Sequence, residues 1–106
     1  MENTNTKGST WLSDSQIAMA LMRECDRAQK LHPEWPADII YQAVIINEEA
    51  GEVMKACMEY RFEPAKGVTM AHIIAEVVQV GAMAVRFLKN VPEIGKYLGE
   101  TDDNAI

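Results

Sequence analysis

The sequence is poor in the features that most readily announce a function. It has only two cysteines, Cys25 and Cys57. Both fall on apolar faces of expected helices, which favours buried free thiols over a disulfide framework or a ligand role. There is no apolar run of about 18 or more residues to cross a bilayer. Nor is there a basic start followed by an apolar stretch, so the expectation is a cytoplasmic chain with no secretory signal and no membrane partner. Lysine and arginine number 10 against 16 acidic residues, and the net charge of −6 argues against binding a nucleic-acid polymer. A small phosphorylated ligand that brings its own metal is still compatible with that charge. No segment alternates polar and apolar residues, no hairpin dipeptide joins two apolar runs, and there is no internal repeat. With strands excluded, 106 residues at 48% hydrophobic content point to one all-α domain.

Three helical segments are present. Residues 1–12 read as a flexible arm, polar up to Thr10, with Trp11 and Leu12 the first residues able to dock. Ser13 followed by Gln16 forms a capping box and opens a helix to about Leu31, with an apolar stripe of Ile17, Leu21, Cys25, Ala28 and Leu31. Pro33 and Pro36 break it, and Pro36 suits the first turn of a second helix from about Ala37 to Arg61. Its expected core stripe is Ile39, Ile40, Ala43, Ile46, Ala50, Val53, Met54 and Cys57. Gly51 costs roughly 1 kcal/mol relative to alanine inside that helix, which implies that something packs close to it. A loop containing Pro64 and Gly67 leads to Thr69 as the N-cap of a third helix, Met70 to about Lys89, apolar nearly all round and therefore expected to be covered on most sides. A short helix near Pro92 to Leu98 ends the domain at residue 98, and 99–106 read as an acidic frayed tail. So few helices cannot cover the third one, so a homodimer or homotetramer completing a helical bundle is expected.

The chemistry concentrates at Asn47-Glu48-Glu49-Ala50-Gly51-Glu52. Glu49 and Glu52 lie about one turn apart on one helix face, where like charges repel. A hard divalent cation reverses that cost, because oxygen ligands from a few carboxylates are what such ions take. On the third helix His72, Glu76, Gln79, Arg86 and Asn90 form a narrow polar stripe, which calls for water in a cleft or polar partners on another helix. Glu49, Glu52 and Glu76 therefore point to a divalent-metal site between two helices, the plainer alternative being that the acidic cluster is a solvated helix face. His72 has no second histidine or cysteine at ligand spacing and reads as a structural hydrogen-bonding histidine. Glu76 is followed three residues later by Gln79 rather than histidine, which excludes a ferritin-like di-iron site.

Glu49-Ala50-Gly51-Glu52 with Glu76-Val77-Val78-Gln79 resembles the paired ExxE and ExxD motif of the MazG-like all-α nucleoside triphosphate pyrophosphohydrolases, a group related to dimeric dUTPases. The resemblance spans roughly Ile39 to Leu88. It implies an oligomeric Mg²⁺-dependent (Mn²⁺ being possible) hydrolase that converts a nucleoside triphosphate to monophosphate and pyrophosphate. Glu49, Glu52 and Glu76 match the metal ligands. Gln79 stands where the family has Asp and offers a neutral carbonyl oxygen. In that scheme Glu48 or Glu52 positions or deprotonates the attacking water. Arg86 and Lys55 are candidate phosphate contacts, though Arg86 equally suits a core glutamate and Lys55 suits Glu52 or Glu59. Trp35, Tyr60 and Trp11 are the available base-stacking surfaces, Trp35 nearest the acidic helix. The alternative, motivated by Gln79, is a catalytically silent helical dimer that binds a nucleotide or a protein partner.

Overall fold

The computed structural model describes residues 10–99, so the expectations for residues 1–9 and 100–106 lie outside them. Among the described residues the fold is all-α: α1 (Asp14–Leu31), α2 (Ile39–Phe62), a 3₁₀ turn (Pro64–Lys66), α3 (Met70–Lys89) and α4 (Gly95–Leu98). The local signals explain the boundaries. At Ser13 the capping box forms in both directions, Gln16 N–H donating to the serine hydroxyl and Ser13 N–H donating to the glutamine side chain. Thr69 caps α3 through the backbone N–H of His72. The cap of α2 is Asp38, which accepts from Ile40 and Tyr41. This places Pro36 outside the helix rather than in its first turn, because an aspartate side chain satisfies two orphan amides that proline leaves bare.

The central element is α3. Both α1 and α2 pack against it, and their backbones make no close approach to each other. The result is flat, 48 × 39 × 22 Å, with the two outer helices on opposite sides of α3. Its core is made largely of small residues: Cys25 and Ala28 from α1, Ala56 from α2, and Ile73, Ala82 and Met83 from α3. Small side chains let helices approach closely. At Gly81 the approach is closest, since a Cβ there would lie 2.7 Å from a terminal methyl of Leu21. Gly51, expected to be the close-packed glycine, has nothing within 4 Å of its would-be Cβ. Its helix turns that side away from α3.

That turn overrides much of the expected core stripe of α2. Buried or half-buried positions are Gln42, Ile45, Ile46, Glu49, Val53, Ala56, Cys57 and Glu59, so Ile46, Val53 and Cys57 of the expected stripe are covered while Ile39, Ile40, Ala43, Ala50 and Met54 are exposed. At 100° per residue the packed seam is centred on the side of Gln42 and Glu49, so α2 presents its more polar flank to α3 and leaves much of its apolar stripe outside. Gln42 can be buried because its amide donates to the carbonyls of Pro36 and Ala37, at 2.9 and 3.4 Å. Likewise α3 is covered by its neighbours on two sides only. It is also long and apolar enough, by length and composition, to cross a membrane. That criterion admits Glu76 and Arg86, so it is met where a strictly apolar run is not.

Candidate functional site

Of the polar stripe of α3, Gln79 and Arg86 face a groove of about 370 Å³ between α1 and α2, which His72, Glu76 and Asn90 do not line. Arg27, Ala28 and Leu31 of α1 form one wall, Ile45 and Glu49 of α2 the other, and Gln79, Met83 and Arg86 of α3 the floor. The segment joining α1 to α2 closes one end with His32, Glu34 and Trp35. Helical periodicity alone brings the α3 residues to the floor, since 79, 83 and 86 fall one turn apart.

Arg86 is 5% exposed, and no carboxylate pairs with it. Its guanidinium donates to the backbone carbonyl of His32 at 2.8 Å and of Glu34 at 3.4 Å, and it stacks over the Trp35 ring at 4.8 Å from the centroid. The residue therefore pins the α1–α2 connection onto α3. The indole Nε1 of Trp35 is buried without a hydrogen-bond partner, an uncommon deficit for a group that normally finds one.

At the other end lie the carboxylates. Glu49 is half-buried against α3. Burial pushes its carboxyl above the usual range, and Glu76, Glu52 and Glu48 raise it further by repulsion. Glu76 is flanked by His72 one turn earlier, with Nε2 to Oε2 at 3.4 Å. Glu48 and Glu52 are exposed and do not line the groove. Lys55 pairs with Glu59 at 3.9 Å rather than with Glu52, and it does not line the groove either.

Sequence reasoning missed Glu24. This α1 residue accepts from the side-chain amide of Gln79 and takes a two-pronged contact from Arg27, at 2.9 and 2.5 Å. The Arg27 hydrogen bond dominates, outweighing desolvation with help from Gln79, and holds Glu24 below the ordinary carboxylate range. An aspartate at position 79 would face Glu24 with a second negative charge, whereas the glutamine amide donates to it. The signal was present in the first helix as a Glu24–Arg27 pair at i, i+3, which reads as a solvated surface pair until α3 is placed against it.

The donor set consists of hard oxygens in anionic excess, which suits Mg²⁺ or Mn²⁺. Among the described residues, no three histidine, cysteine or acidic groups already converge as a ligand cluster. Compared with protein-family models, with curated proteins and with solved structures, the chain matches none. What the fold and groove define is an all-α protein with a carboxylate-bearing, arginine-floored cleft.

Proposed function

We propose that this chain is a Mg²⁺-dependent nucleotide pyrophosphohydrolase, acting on a nucleoside triphosphate to give the monophosphate and pyrophosphate. The observation that carries the reading is Glu49, a half-buried carboxylate raised by burial and by three neighbouring carboxylates. The nearest lysine on its helix is engaged by Glu59. Such a group costs the fold stability unless a cation joins it. The reaction itself comes from the resemblance of the Glu49–Glu52 and Glu76–Gln79 pairs to the MazG-like motif.

In this reading Glu49, Glu52 and Glu76 hold the cation, and Gln79 supplies at most a carbonyl oxygen. Bound Mg²⁺ would neutralise and orient the phosphates. Glu48 or Glu52, both open to solvent, positions or deprotonates the attacking water. Arg86 holds a fixed positive charge at the floor of the groove, suited to an anionic ligand. Trp35 forms part of the wall, its ring already stacked on that guanidinium.

A second reading rests on Gln79. Its amide is committed to Glu24, so the position that carries an acidic ligand in the MazG-like motif is here a hydrogen-bond donor to another helix. This favours a helical module that binds a nucleotide or a protein partner without turnover. Thermal melting with and without Mg²⁺ or Mn²⁺, across a panel of nucleoside triphosphates with pyrophosphate release followed in parallel, separates the two. Metal-dependent release abolished by Glu49→Gln is the expected result. Stabilisation by nucleotide without release sinks the enzyme in favour of the module, and no response to metal or nucleotide sinks the enzyme and the nucleotide-binding form of the module.

A further inference from the structure

Gln79 joins the groove to α1 by an amide, and the two ends of an amide do different things. Glu24 faces its Nε2. An ionised carboxylate only accepts hydrogen bonds, so the amide has to meet it nitrogen first. The group is planar, with oxygen and nitrogen diverging from one carbon, and fixing Nε2 toward α1 therefore turns Oε1 away from it. Among the described residues no donor reaches that oxygen, and it is not sealed from solvent. Gln79 shares the groove with Glu49 of the facing helix, and Glu76 precedes it by one turn on its own helix.

Glu24 is itself held. Arg27 grips it through two nitrogens, at 2.9 and 2.5 Å, and both residues belong to one turn of α1. The two charges are unequally screened, since the side chain of Arg27 is 57% exposed and that of Glu24 16%. Water damps the guanidinium more than the carboxylate, which leaves a negative field on the α3 side. A hydrogen bond from an amide to a carboxylate also polarises the amide and makes its carbonyl oxygen more negative.

We propose that Glu24 is a positioning residue for a divalent cation: it holds Gln79 with the carbonyl oxygen free for the ion and lends that oxygen the negative charge that a glutamine lacks. The inference rests on the reading in which Glu49, Glu52 and Glu76 hold the cation. Glu24 acts through Gln79, as the outer partner that orients a ligand from behind. The commitment of the amide nitrogen to α1 is then what keeps position 79 usable. Residues 24 and 79 are a matched pair, a donor amide opposite an anionic neighbour.

The test is Mn²⁺ binding to the full chain without nucleotide, followed by electron paramagnetic resonance, together with the side-chain amide signal of Gln79 in ¹H–¹⁵N spectra, assigned by its loss in Gln79→Met. Wild type should bind Mn²⁺ and Glu49→Gln should bind it far more weakly. Glu24→Gln should weaken binding about 10- to 100-fold and move the Gln79 amide protons upfield, with the backbone signals of a folded chain retained. In the Gln79→Met background the same Glu24→Gln change should leave Mn²⁺ affinity nearly unaltered, because Glu24 acts only through that amide. Should Gln79→Met fail to fold, Gln79→Ala replaces it. A Glu24→Gln chain that melts earlier but binds Mn²⁺ as wild type does overturns the proposal and leaves the cation reading standing. So does a loss of affinity that persists at full size without Gln79. A wild type that binds no Mn²⁺, or binds it no better than Glu49→Gln does, sinks the cation reading and the proposal together.

Discussion

The two long faces of α3 differ in how their side chains are satisfied. On the groove side Gln79 and Arg86 have partners from another helix or loop, Gln79 with Glu24 and Arg86 with the carbonyls of His32 and Glu34, while the indole Nε1 of Trp35 has none. On the opposite side Met70, Ile74, Val77 and Leu88 of α3 remain between 43% and 55% exposed, with Leu21 of α1 crossing only at Gly81. Polar pairing within one chain is therefore extensive, Trp35 Nε1 apart, while apolar burial is not. A polar network can be closed by a few side chains at hydrogen-bonding distance, whereas burying a row of exposed apolar side chains takes another surface of comparable area.

The sharpest way to break the groove side is Arg86→Ala. It removes the donor to two loop carbonyls and the cation over Trp35, and a urea titration should show a loss of about 3 kcal/mol. Because the residue is structural, the loss should appear without any ligand. A ligand role in addition would show as a further drop in nucleotide affinity in the less disruptive Arg86→Lys, which keeps charge but not the planar fork.

The glycines test packing on the other side. Gly51→Ala should raise stability by about 1 kcal/mol, the helix-propensity gain with nothing to obstruct it. Gly81→Ala makes the same local gain but forces Leu21 to move, so its net effect should lie near zero. Equal gains at both sites in thermal melting would mean that α1 does not cross α3 where the packing places it.

Two carboxylates on the groove side should respond to pH in opposite senses. The folded pKa of Glu49 is raised, so its contribution is most favourable below the ordinary carboxylate value and is lost as pH rises through the raised one. Glu49→Gln should stabilise the metal-free chain by about 0.5 kcal/mol at pH 7, and the gain should vanish near pH 4, where the wild-type group is itself protonated. Glu24 is depressed, chiefly by Arg27, so its contribution is present above the ordinary value and is lost as pH falls through the lowered one. Glu24→Gln should therefore cost about 0.5 kcal/mol at neutral pH. Measuring melting temperature for both variants from pH 7 to about pH 2 checks the signs together, the Glu49 effect vanishing first and the Glu24 effect only at the acid end. Excess Mg²⁺ should reverse the Glu49→Gln gain if the cation binds where proposed, because wild type alone is then stabilised.

Local signals carried the helices well. The capping box at Ser13, the cap at Thr69 and the interruption at Pro33 and Pro36 are short-range chemistry, and the structure places α1 and α3 where those residues set them. The polar stripe of α3 was equally legible, because every third or fourth residue of a helix shares a side. The rotation of α2 was not. Its hydrophobic residues surround most of the helix, so periodicity cannot say which side turns inward, and of the expected stripe only Ile46, Val53 and Cys57 are covered while Ile39, Ile40, Ala43, Ala50 and Met54 face out. Glu24 escaped for a related reason: a Glu–Arg pair on an amphipathic helix looks the same whether or not a glutamine from 55 residues away approaches it.

The sequence by itself determined the helices, their ends and the acidic and polar positions along them, since caps, breakers and periodicity act within a few residues. Only the tertiary structure decided which flank of α2 meets α3, that Arg86 anchors a loop under Trp35, and that Gln79 is bound to Glu24. Each of those depends on the relative rotation of helices, which is set by how small side chains such as Gly81 and Ala82 let backbones approach, and no local pattern encodes that.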